Sequence, residues 1–136
     1  YVVTAAACLD RPYSIRSVVV RGDGRGKGLG FPTANLSVMG GDKLIPPQGI
    51  YAVRGVLRSG TYAGALHLGP RPTFKGSPPS IELHLIDFDG DIYGEEVRVD
   101  FIEQLRGVEP FTTVEALVEQ IRVDVERARR VVADLL

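Results

Sequence analysis

At 136 residues the chain has the size of one domain with room for a hydrophobic core, and 44% apolar with 24% charged residues is ordinary globular composition. A net charge of −1 argues against a general nucleic-acid or membrane-surface binder. The single cysteine, Cys8, excludes an internal disulfide or a cysteine-rich zinc site. No apolar run approaches the roughly 20 residues of a membrane span and no secretory signal is visible, which makes the cytoplasm the expected location. The chain starts at Tyr1 rather than Met, as expected of a piece of something longer.

Val2–Leu9 is small and apolar and reads as the end of a helix whose earlier turns are missing, broken by Arg11-Pro12-Tyr13. Ser14–Arg21 is β-branched and reads as a strand. It leads into Arg21–Leu36, RGDGRGKGLGFPTANL, the stretch around which the chain is organised. Gly22, Gly24, Gly26, Gly28 and Gly30 occupy every second position, so an extended ribbon here has one face without side chains. A ligand could approach backbone N–H groups on that face, beside the charges of Arg21, Arg25 and Lys27. Most glycine runs are only turns, and the standard templates fail: Lys27 is followed by Gly28, and no third glycine completes a dinucleotide fingerprint. Thr33 and Asn35 lie two apart, so on a strand they share a face. Their hydroxyl and amide oxygens are hard ligands that suit Mg²⁺ arriving on nucleotide phosphates.

Met39–Gln48, with two glycines and two prolines, is loop. Ile50–Leu57 and Tyr62–Leu68 read as strands around a hairpin turn, Arg58-Ser59-Gly60-Thr61. Four prolines keep Pro70–Pro79 out of any sheet. Ser80–Asp87 alternates, with Ile81, Leu83 and Leu85 on one face and Glu82 and His84 on the other; Phe88–Asp91 is a turn and Glu96–Ile102 a further strand. From Thr113 to Leu136 there is neither proline nor glycine. Val114, Leu117, Val118, Ile121, Val125, Ala128 and Val132 recur at helical spacing, and Thr112 with Glu115 offers a capping box. Short strands followed by one long amphipathic helix indicate a mainly β fold, a small antiparallel barrel with the helix packed on it.

Glu82 admits two readings: an acid on the barrel exterior facing water, or a carboxylate with chemical work, since acids are depleted from strands. His84 shares its face, and with only His67 for company a histidine metal site is not expected. Asp87, Asp89 and Asp91 start like a calcium loop, but Ile92 stands where that loop needs glycine, so these acids solvate a turn. The segment 103–111 joins the last strand to the helix; it is either a plain connector, or Arg106 and Phe111 clamp a flat ligand from two sides.

Taken together, VVVRGDGRGKGLGFPTANL, PPQGIYA, LHLGPRPTF, IELHLIDFDGDIYGE and FIEQLRGVEPF with the closing helix resemble the riboflavin kinase family over residues 9–134. The match is closest to the kinase module at the C-terminal end of bacterial bifunctional riboflavin kinase/FAD synthetases. The resemblance implies a six-stranded antiparallel Greek-key barrel with a C-terminal helix. It also implies transfer of the ATP γ-phosphate to the ribityl 5′-hydroxyl of riboflavin, giving FMN and ADP. By the same resemblance, Gly22, Gly24 and Lys27 would cover the nucleotide phosphates and Thr33 and Asn35 would hold Mg²⁺ with them. Glu82 would be the general base, Tyr93 would lie near the nucleotide, and Arg106 and Phe111 would contact the flavin. Residues 1–10 would be the remnant of a linker helix from an adenylyltransferase domain missing here, so this piece is expected to make no FAD. Asp10 departs from the glycine often found there in the family. The expected partners are riboflavin and ATP, with no nucleic acid and no membrane. The alternative is a barrel that binds a flavin or nucleotide without catalysis.

Overall fold

The computed structural model describes residues 12–20, 31–39, 45–69 and 80–136. Period-2 alternation is realised in six strands: β1 (Tyr13–Val20), β2 (Ala34–Val38), β3 (Gly49–Leu57), β4 (Gly60–Leu68), β5 (Ile81–Leu85) and β6 (Glu96–Arg106). They close into a barrel in the order β1-β2-β5-β4-β3-β6, with every pairing antiparallel. Strands β3, β4 and β5 follow one another as neighbours and β6 returns beside β3, which is a Greek key. The helix α1 (Val114–Val132) follows and ends in a short 3₁₀ turn, Ala133–Leu135. The mainly β barrel with a C-terminal helix is therefore the observed architecture.

Alternation divides the apolar residues into two cores. Ile15, Val19, Leu36, Tyr51, Val53, Leu66, Leu83, Val97, Val99 and Phe101 point inward and fill the barrel. Ile50, Ala52, Ala63, Ile86 and Leu105 point outward and are covered by Val125, Ala128 and Val132 of α1. The interior has no room to spare at Gly64, where a Cβ would stand 2.9 Å from Leu83 Cδ1 and 3.1 Å from the His84 carbonyl. On the outer face Asp100 is buried among Ser14, Arg54 and Arg98, with contacts of 2.7, 2.8 and 3.0 Å. Burial works against ionisation of this carboxyl, but the hydrogen bonds from Arg98, Ser14 and Arg54 outweigh it and hold its pKa below the ordinary value. Arg54 also donates to the Leu135 carbonyl at 2.7 Å, tying the end of the chain to β3.

Several boundaries differ from the sequence reading. The expected strand Glu96–Ile102 runs on to Arg106, because β6 keeps pairing with β3 through two register shifts, between Ala52 and Val53 and between Ile50 and Tyr51. Such irregularities break the alternation that a sequence pattern detects. Arg106 therefore sits on a strand, and the connector to the helix begins at Gly107. Strand β5 stops at Leu85, where the chain turns through Asp87 in the left-handed region, φ 59°. The hairpin is tighter than expected: Leu57 pairs with Gly60 across Arg58-Ser59 alone. Thr113, not Thr112, caps the helix, its Oγ1 accepting from Ala116 N at 3.1 Å. Of two adjacent threonines the second lies where the helical bonds begin, Leu117 N to the Thr113 carbonyl, so Glu115 falls one position short of a capping box. The expected linker remnant at 1–10 and the expected phosphate loop at 21–30 lie outside the described residues.

Candidate active site

One rung of the barrel carries most of the polar candidates. Asn35 of β2 faces Glu82 of β5, Glu82 faces His67 of β4, His67 faces Ile50 of β3, and Ile50 faces Arg106 of β6. Because Ile81, Leu83 and Leu85 point inward, the Glu82 side chain projects outward with its rung partners. It does not face open water: only 22% of it is exposed, and its Oε2 lies 3.5 Å from His67 Nδ1.

Two cavities meet beside this rung. The first, about 280 Å³, lies between α1 and the outer face of β4 and β5, and is lined by Phe31, His67, Glu82, Phe111 and Ile121. The second, about 630 Å³, lies between β2 and the turn 88–93, and is lined by Asn35, Leu85, Phe88, Asp89 and Tyr93. Thr33 lines both. Its Oγ1 is buried and has no hydrogen-bond partner among the described residues. A native buried hydroxyl without a partner is uncommon and fits a ligand or ion that completes it.

The segment carrying Thr33 is pinned by His84. Its Nδ1 lies 2.8 Å from the Pro32 carbonyl, which can only accept, so this nitrogen carries the proton. The Phe31 ring stands edge-on to the same imidazole, with centroids 5.8 Å apart. Nothing in the alternation of β5 distinguished His84 from a surface residue; only the fold brings Pro32 to it.

Arg106 is engaged on the protein itself. Its Nε and Nη2 reach Asp124 of α1 at 3.1 and 2.8 Å, and its Nη1 donates to the Gly107 carbonyl at 3.2 Å. Gln120 adds a bond to Asp124 at 3.0 Å. The guanidinium also stands 5.6 Å from the centre of the Phe111 ring. A ring sandwiched between the two needs about 7 Å, so they stack on one another here rather than holding a gap open. Asp124 was missed from the sequence, although it lies three residues after Ile121 and four before Ala128 on the buried stripe. A carboxylate on that stripe required a cationic partner. Tyr93 is half-exposed at the rim of the second cavity, with its backbone N–H bonded to Asp91 Oδ1 at 3.0 Å. Gly22, Gly24 and Lys27 lie outside the described residues.

Among the described residues no group of three His, Cys, Asp or Glu side chains could hold a metal, and no helix is long and apolar enough to cross a membrane. Thr33 and Asn35 are hard oxygen donors without a carboxylate cage, a set that fits Mg²⁺ bound mainly through phosphates and water.

Comparison with known proteins agrees with this architecture. The bifunctional riboflavin kinase/FMN adenylyltransferase of Bacillus subtilis is 35% identical over 134 residues, which are 96% of this chain and 42% of the relative. Its namesake from Listeria monocytogenes is 38% identical over 128 residues, 93% of this chain and 40% of the relative. The chain thus spans about two fifths of the length of these relatives. A solved riboflavin kinase from Trypanosoma brucei aligns with a TM-score of 0.65 at 25% identity, covering 90% of this chain and 80% of that one. A Streptococcus pneumoniae structure described as a macrolide-efflux protein aligns with a TM-score of 0.88 at 34% identity, over 94% of this chain and 42% of that one. The family model for riboflavin kinase matches residues 9–132, and the chain belongs to that family, as its kinase module.

Proposed function

We propose that this module transfers the γ-phosphate of ATP to the 5′-hydroxyl of riboflavin, with Glu82 as the base and Thr33 and Asn35 at the phosphates. One observation carries the reading: Thr33 belongs to both cavities, while Glu82 lines the one under α1 and Asn35, directly across from it, lines the one beside the turn 88–93. Riboflavin fills the cavity under α1, its ring system against Phe31, Phe111 and Ile121, and ATP lies over the turn that carries Tyr93. The nucleophile and the phosphorus then meet at Thr33.

Phosphoryl transfer asks mainly for alignment and for neutralisation of oxygen charge. A primary alcohol is too weak an acid to be ionised beforehand by a carboxylate. Glu82 therefore orients the hydroxyl and takes its proton as the new O–P bond forms and the bond to ADP breaks. Thr33 and Asn35 would hold Mg²⁺, which, when bound, supplies charge neutralisation at the phosphate oxygens. By the family resemblance, Gly22, Gly24 and Lys27 would cover those phosphates. Arg106 serves the flavin side by fixing α1 as one wall of its cavity, and Phe111 offers the ring face. Use of ATP fits a cytoplasmic enzyme. The longer relatives suggest that an adenylyltransferase domain accompanies the module in its parent protein and converts the FMN to FAD.

The test is direct. The protein is incubated with riboflavin and MgATP, and the flavins are separated by chromatography. One FMN per ADP supports the reading; riboflavin retained by the protein with no FMN formed replaces it with a non-catalytic flavin-binding barrel.

A further inference from the structure

The imidazole of His67 has no part in the reaction described above, yet it is the cross-strand neighbour of Glu82 and its Nδ1 lies 3.5 Å from the carboxylate. Its place is set by the strand itself. Gly69 leaves the space the ring occupies, since a Cβ there would stand 3.3 Å from His67 Cε1. The ring is 38% exposed and so can exchange protons with solvent. The charged or titratable groups around it are Glu82 and His84 from β5, Arg106 from β6, Glu109 from the connector and Asp124 from α1. Strand β3 contributes only Ile50. Arg106 is occupied by Asp124 and lies 3.6 Å from Glu109, while His84 is turned to Pro32. Glu82 is thus the anion that His67 meets directly.

We propose that His67 is a positioning residue that turns the base on and off with pH. A neutral imidazole with its proton on Nδ1 presents that proton to Glu82 Oε2 across 3.5 Å, which steers the other carboxylate oxygen toward the substrate hydroxyl and leaves it basic. An imidazolium at the same place makes the contact an ion pair, favours the ionised carboxylate and weakens it as a proton acceptor. Turnover then falls as the imidazole gains its proton. The proposal rests on the reading of Glu82 as the base.

The experiment follows kcat for FMN formation from about pH 5 to pH 8 in wild type, His67→Gln, His67→Ala and Glu82→Gln, under identical buffers so that titration of the nucleotide is common to all. Glutamine keeps an N–H donor and cannot become a cation. The ratio of His67→Gln to wild-type kcat is expected to rise on acidification, by on the order of tenfold across the range. His67→Ala, without a donor, is expected to lose kcat on the order of tenfold at neutral pH with KM for MgATP unchanged. A ratio independent of pH, or a His67→Ala variant with wild-type kcat, overturns the proposal. An inactive Glu82→Gln beside such a flat ratio removes only the pH gate, whereas an active Glu82→Gln removes the base as well. Two variants at position 67, each checked by thermal melting, keep a folding defect in one from deciding the outcome.

Discussion

Asn35 and Glu82 are direct cross-strand partners on β2 and β5, and their side chains leave the barrel on the same face. The ladder sets their separation, since paired residues hold their Cβ atoms about 4.5–5.5 Å apart. An amide and a carboxylate are thereby fixed relative to each other by rigid strands, an arrangement that holds geometry better than loops do. Thr33 lies just before β2, at the partition between the two cavities.

The orphaned hydroxyl of Thr33 separates function from stability. Thr33→Val keeps the shape and removes an unpaired buried oxygen, so the folded state should be unchanged or stabilised by up to about 1 kcal/mol. The same change should raise the Mg²⁺ concentration needed for half-maximal FMN formation by roughly tenfold, about 1.4 kcal/mol of lost binding. A thermal melt and a Mg²⁺ titration check the two halves; an unchanged titration removes Thr33 from the metal.

Arg106 is a hinge pin between barrel and helix before it is anything else. Removing it leaves Asp124, whose side chain is 4% exposed, without its cation. Breaking a buried pair from one side costs about 3–5 kcal/mol. Arg106→Ala should therefore lower the denaturation midpoint sharply, while Arg106→Ala with Asp124→Ala should recover part of the loss. If both variants melt like wild type, α1 is not held by this pair.

Asp100 should contribute to the loss of stability in acid. Its folded-state pKa is depressed, so the unfolded chain takes up the proton first as the pH falls. The stabilisation is complete above the ordinary carboxylate value, near 3.9, and is lost as the pH drops through the lower folded value. Asp100→Asn should cost about 2–3 kcal/mol at pH 7 and should flatten the loss of stability below about pH 4. Denaturant midpoints for both proteins at pH 7 and in that acid range are the check; equal acid limbs would take Asp100 out of the account.

How much of this was legible beforehand depended on the range of the signal. Glu82 could be placed on the outward face because Ile81, Leu83 and Leu85 alternate with it, and α1 because its apolar stripe is local. The end of β6 could not, because its register shifts against β3 break the two-residue period where Glu103 and Gln104 sit. The partnership of His67 with Glu82 was hidden for another reason: 15 positions separate them in the sequence, and only the β4–β5 register joins them. For Arg106 the sequence leaves open a plain connector or a clamp with Phe111, and the flavin contact is what the family resemblance implies. Its bidentate hold on Asp124 needed the helix to be docked first.

The most direct measurement supplies ATP labelled in the γ-phosphate and counts label in the isolated flavin, for wild type and Glu82→Gln side by side. Wild type should place one label in each FMN, and Glu82→Gln should do so about 10²-fold more slowly or worse with ATP affinity retained. Label appearing in flavin at equal rates in both proteins would contradict the assignment of Glu82, and no label in flavin from wild type would contradict the kinase.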